Sequence, residues 1–172
     1  MTTTRTPRSA NTSPTEVHHY PFTLRGEGPV LALFTGSRAD QAVASRAAEL
    51  AARTGHPVTA AAAVRSTGFS INALLHLARG RRIRTEAEAI LAAVLPVIAR
   101  AGPARTTTLV VPARINPYRT LPAGLVERLT HRTGADIALS PVLLTGYTSP
   151  IARELNRITD PHSRSHAMAA DP

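Results

Sequence analysis

Thr35-Gly36-Ser37-Arg38 is the segment of this chain whose residue types and placing suit chemistry best. It follows an apolar run, Pro29-Val30-Leu31-Ala32-Leu33-Phe34, and a helical pattern starts straight after it. A buried strand that turns through glycine into a helix leaves backbone N–H groups free at the positive end of the helix dipole. Such a turn, at the carboxyl end of an α/β sheet, holds phosphates and nucleotides. Arg38 adds positive charge there. Val64, closing the second apolar run at 57–64, would flank a base, and Ser140, Thr145 or Gly146 would meet the same crevice. The plainer reading of the same residues is a glycine that permits a tight turn and a serine that caps a helix.

Arg79, Arg81, Arg82 and Arg84 form the densest positive cluster. They would grip phosphate or an acidic protein; otherwise they lie on a solvated loop. No aromatic residue is interleaved with them, which disfavours single-stranded nucleic acid, since that binding needs stacking platforms. His18-His19 lacks the further ligands that a metal site requires at defined spacing. His56, His76 and His131 share no motif with a serine or an aspartate. Asp40 reads as a first-turn helix carboxylate that complements the dipole, and Asp136 as a turn or edge group. No nucleophile with a base, no carboxylate pair and no metal centre emerges, so the expectation is that the chain is not an enzyme.

The elements that must position these residues follow from periodicity. Ala39, Val43, Ala47, Leu50 and Ala51 make one apolar stripe over 38–53, and Gly55 is the expected stop. Residues 66–84 read as an irregular excursion with a short helix near 71–77. Thr85-Glu86-Ala87-Glu88 has the pattern of a capping box, predicting a helix from there to about Ala101, with Pro96 inside it. A third strand is expected at 105–113, a third helix from Leu121 to Thr133-Gly134, and a fourth strand at 135–139. Residues 142–144 either extend that strand past Pro141 or form a separate edge strand. Ser149-Pro150 opens a last short helix. The expected class is α/β: a doubly wound parallel sheet of four to five strands with helices on both faces. Residues 1–28, rich in Thr, Ser and Pro, read as a disordered arm, 29–159 as the folded domain and 160–172 as a disordered tail.

Composition bounds the partners. The chain has 172 residues, 43% of them hydrophobic but only 3% aromatic, so Ala, Val, Leu and Ile must build the core. The formal charge is +9, and every basic residue other than histidine is an arginine. That balance favours anionic partners. Without cysteine, disulfides and thiolate metal sites are excluded. No apolar run is long enough to span a bilayer and no signal segment opens the chain, so a cytoplasmic protein without a membrane partner is expected.

Over about residues 29–146 the chain resembles the universal stress protein family. Phe34-Thr35-Gly36-Ser37 stands where that family commonly has Val-Asp-Gly-Ser. The run Ala48 to Gly55 closes the first helix in the family's style. Asn116-Pro117 stands at its Asp-Pro turn, and Gly134-Ala135-Asp136-Ile137-Ala138-Leu139 resembles its fourth strand. A second register would make Leu109-Val110-Val111 the fourth strand and residues 140–144 the fifth. Two departures concern the nucleotide. Thr35 replaces the aspartate of the ATP-binding members, and the glycines they carry after the fourth strand have no counterpart here in either register. The resemblance therefore implies a non-enzymatic stress-response or regulatory protein with a degenerate nucleotide site, no bound cofactor, and a homodimer formed through a sheet edge. Two alternatives remain open: an ATP- or AMP-binding switch using Gly36-Ser37, and an arginine-rich module for an acidic protein or nucleic acid.

Overall fold

The computed structural model describes residues 16–25, 28–66 and 73–159. The first fifteen residues of the expected arm, the start of the expected helix at 71–77 and the expected tail at 160–172 lie outside them. The elements run β1 (His18–Pro21), β2 (Val30–Phe34), α1 (Asp40–Thr54), β3 (Val58–Arg65), α2 (Ala73–Ile98), a 3-10 turn (Ala99–Ala101), β4 (Ala104–Val111), β5 (Thr120–Pro122), α3 (Ala123–Thr133), β6 (Ile137–Ser140), β7 (Leu143–Thr145) and α4 (Pro150–Thr159).

Five strands form the central sheet in the order β1-β6-β2-β3-β4. β6, β2, β3 and β4 are parallel, with Val30 opposite Ile137 and Val58, and Val58 opposite Ala104. Ile137–Ser140 is thus the fourth parallel strand, beside β2, and Leu109 to Val111 lie in the third; the alternative register is overturned. The fifth place is filled from the other end of the chain. β1 pairs antiparallel with β6, Tyr20 opposite Ala138. Residues 18–21 are therefore a sheet edge and not part of a disordered arm. β7 neither extends β6 nor joins the main sheet; it pairs with β5 in a small parallel sheet.

Both faces of the sheet are covered, because the strands are apolar on both sides. Val30, Ala32, Phe34, Ala60, Ala62 and Val64 pack against α1 and α2. Leu31, Leu33, Ala61, Ala63, Leu109 and Val111 pack against α3 and the small sheet. The four central alanines of β3 are at most 1% exposed, so small side chains in the middle of the sheet let both helical layers come close. Gly55 and Gly134 end α1 and α3 in the left-handed conformation, φ +71° and +68°, which glycine adopts without the Cβ penalty.

α2 corrects a second expectation. It runs unbroken for 26 residues, so Thr85 to Glu88 lie inside it and open nothing. The apolar stripe explains why. Ile83, Ala87, Ile90, Leu91, Val94 and Ile98 all face the core, and the stripe begins upstream of Thr85. Burial of that continuous face outweighs a local capping signal worth about 1 kcal/mol. The helix gives way to the 3-10 turn shortly after Pro96, which has no N–H to continue the ladder.

The N-terminal strand is tied down by aromatic groups. Tyr20 and Tyr147 meet edge to face with centroids 4.8 Å apart, and Phe22 and Tyr147 at 5.5 Å. The Tyr20 hydroxyl accepts from the Leu144 N–H at 3.0 Å, and the Tyr147 hydroxyl donates to the Pro21 carbonyl. Burial holds the Tyr147 phenol above its ordinary pKa, which keeps it a donor.

Candidate functional site

The turn after β2 brings together Thr35, Gly36 and Ser37, and a fourth residue organises them. Asp40, the first residue of α1, is 4% exposed, and its carboxylate turns back toward the end of the strand. It accepts from the Thr35 N–H at 3.0 and 3.2 Å and from the Gly36 N–H at 2.7 Å. The Ser37 hydroxyl donates to it at 3.1 Å and the Thr35 hydroxyl at 3.4 Å. Ser37 is thus not a helix cap: its hydroxyl is turned to the carboxylate, and the N-cap, Ala39, has no side-chain cap at all. A charged acceptor forms the stronger bond, so a serine beside an aspartate donates to it.

The geometry follows from the local sequence. Gly36 has φ +81°, a conformation that L side chains rarely adopt, and it aims its N–H at Asp40. A Cβ on Gly36 would stand 3.4 Å from Ile90 Cγ1 and 4.0 Å from the Tyr118 hydroxyl. An aliphatic group from α2 and a phenol from the loop after β4 therefore overhang the turn. Beside it lies a shallow cleft of about 280 Å³ between α1 and α2, lined by Gly36, Ser37, Gln41, Ala89, Ile90 and Ala93.

The other expected residues do not converge on this point. Arg38 is exposed. Val64 is fully buried with Phe34 and Ile90 in the core beneath α2. Ser140 is buried, and its hydroxyl is used within its own turn, donating to the Val142 carbonyl at 2.7 Å and accepting from the Val142 N–H at 3.2 Å. Thr145 donates to the Leu121 carbonyl in the small sheet. Gly146 follows at φ +73°, exposed. Arg79, Arg81, Arg82 and Arg84 are on helix α2 and not on a loop, so their side chains point around the helix and do not gather on one face. No described cluster of histidine and carboxylates could hold a metal ion.

Asp40, Ile90 and Tyr118 were not legible as site residues. Asp40 carries a signal of a kind: it stands three residues after Ser37 and four after a glycine, within reach of amides on both sides of the turn. Ile90 and Tyr118 arrive from distant elements and carry none.

No family model matches the sequence, and no curated protein matches it. Solved structures that resemble it include universal stress proteins. One in complex with cAMP aligns over 66% of this chain and 75% of its own, at 19% identity and a TM-score of 0.47. One from Burkholderia pseudomallei aligns over 77% of this chain and 90% of its own, at 20% identity and a TM-score of 0.47. One from Lactobacillus plantarum aligns over 72% and 81%, at 17% identity and a TM-score of 0.44. The α/β class is carried by the strand order and the two-sided helical cover of this chain itself. No described helix is long and apolar enough to cross a membrane.

Proposed function

We propose that this chain is a non-enzymatic regulatory protein of the universal stress type, in which the phosphate position is taken by the protein's own Asp40 carboxylate. The reading is carried by one observation: the Thr35 and Gly36 amides, the donors such a turn would offer to a phosphate, already donate to Asp40. A second anion gains little there. The helix dipole offers it about 0.3–1 kcal/mol, while a fixed negative charge at about 4 Å repels it by about 4 kcal/mol at an effective dielectric of 20. Ile90 and Tyr118 overhang the same point, and Ser140, with its hydroxyl committed, has nothing to add. These residues do not fit a triphosphate. The turn then serves as a rigid joint between β2 and α1, and regulation passes through surfaces and partners.

Thermal shift with ATP, ADP, AMP and cAMP tests the proposal. The wild-type midpoint is expected to stay unchanged at millimolar nucleotide, whereas a ligand at one hundred times its Kd adds about 2.7 kcal/mol. A concentration-dependent rise, lost in Gly36→Val, would establish a nucleotide switch instead.

A further inference from the structure

The central sheet has two edges, and they are built differently. β1 has four residues, ends at Pro21 and is roofed by the Tyr20, Phe22 and Tyr147 rings. β4 has eight residues and, among the described residues, no strand on its outer side. It reads Ala104-Arg105-Thr106-Thr107-Thr108-Leu109-Val110-Val111, rich in β-branched residues. Folded proteins blunt such edges with prolines, bulges, inward charges or a covering element, because a long regular edge is a template for another strand. Among the described residues β4 meets none of these along its length, and its one charged residue, Arg105, is exposed. Thr106 and Thr108 are exposed and Val110 is 45% exposed, so a neighbouring strand has side chains to pack on as well as a ladder to extend.

Charge selects the strand. Beside the edge lies a groove of about 280 Å³ between β4 and α3, lined by Thr108, Val110, Leu125, Arg128 and Arg132. Arg128 and Arg132 are one turn apart on α3, both exposed. None of Arg105, Arg128 and Arg132 forms an ion pair with a described carboxylate. A second copy of this chain would bring the same Arg128 and Arg132, and another +9 of net charge, to the interface. A nucleic acid cannot continue a main-chain ladder, and no aromatic side chain lines the groove for bases to stack on.

We propose that the β4 edge is a docking site for an extended acidic segment of a partner protein, added as a further strand with its carboxylates over Arg128 and Arg132. Main-chain hydrogen bonds to β4 give affinity in this mode, and the flanking side chains give specificity. The surface is separate from the turn at Gly36, and the proposal stands whether or not that turn binds a nucleotide.

The test uses the full chain and fluorescein-labelled octapeptides of alternating Glu and Val. The acidic peptide is expected to bind saturably, with hydrogen-exchange protection gained over 104–111, while the Lys-Val counterpart does not bind. Arg128→Glu with Arg132→Glu, exposed changes that leave the fold intact, should weaken binding at least tenfold. Two peptides N-methylated at alternate residues separate a strand from mere charge attraction. One presents its methyls to β4 and should lose at least tenfold, and the other should not. Equal affinity of the two methylated forms, or of the acidic and basic peptides, would overturn the proposal. So would retention of poly-dT in place of the peptide, or a dimer in solution that itself protects 104–111.

Discussion

The turn after β2 and the edge of β4 are both places where a strand ends or stops pairing, and the chain treats them in opposite ways. At the turn, the free amides of Thr35 and Gly36 receive a carboxylate from four or five residues away. At β4, no described strand pairs with the outer side of eight residues, and positive charge is set beside them. A backbone donor that is satisfied from within serves the fold; one that is left open, next to uncompensated charge, is free to serve a partner. The feature that reads most like a ligand site in the sequence is therefore the one closed internally, while the open one lies in a run of threonines and valines.

This contrast can be broken at the turn first. Asp40→Ala removes a buried acceptor of two amides and two hydroxyls, and the donors left unsatisfied cost about 1–3 kcal/mol each. We expect a loss of about 3–5 kcal/mol in urea unfolding, the largest effect of any single change here. A loss below 1 kcal/mol would mean that the carboxylate does not hold the turn. Gly36→Ala comes next. Its positive φ alone costs about 1–2 kcal/mol, and the contact with Ile90 adds to it. Tyr147→Phe removes the donor to the Pro21 carbonyl while keeping both ring contacts. About 1 kcal/mol should be lost, with faster amide exchange in β1 and none of that change in β4.

The smallest effect concerns the α3–α4 junction. The hydrogen bond from Arg153 holds the Glu127 carboxyl below the usual carboxylate range. A depressed carboxylate contributes stability that is full above its unfolded pKa, near 4.3, and fades as the pH falls through its folded value. Both side chains are partly in solvent, so the contribution stays below about 1 kcal/mol. The difference in midpoint between wild type and Glu127→Gln should therefore shrink as the pH is lowered from 6 to 3. An unchanged difference would detach the pair from stability.

Much of the fold was legible because its signals are local. The apolar runs of β2, β3 and β6 are buried on both faces, and Gly55 and Gly134 mark helix ends by a conformation that suits glycine. β1 was not legible: of its four residues only Tyr20 is buried, and its hydroxyl finds its partner 124 residues away at Leu144. The start of α2 is hidden in the sequence because a good local cap at Thr85 competes with a longer stripe, and the stripe wins through burial. At the candidate site, the sequence marks Gly36 and Ser37, yet their partner Asp40 reads there only as a first-turn carboxylate. Its type and position were visible; the direction of its side chain depends on the turn that Gly36 makes.

The central claim is that Asp40 stands where a phosphate would. Calorimetric titration of ATP into wild type and into Asp40→Asn tests it most directly, since the amide keeps the shape and removes the charge. The account predicts no saturable heat from wild type at millimolar ATP, and at most weak binding by Asp40→Asn, where the repulsion is gone while Ile90 and Tyr118 still overhang the turn. Stoichiometric binding to wild type, weakened in Asp40→Asn, would contradict it.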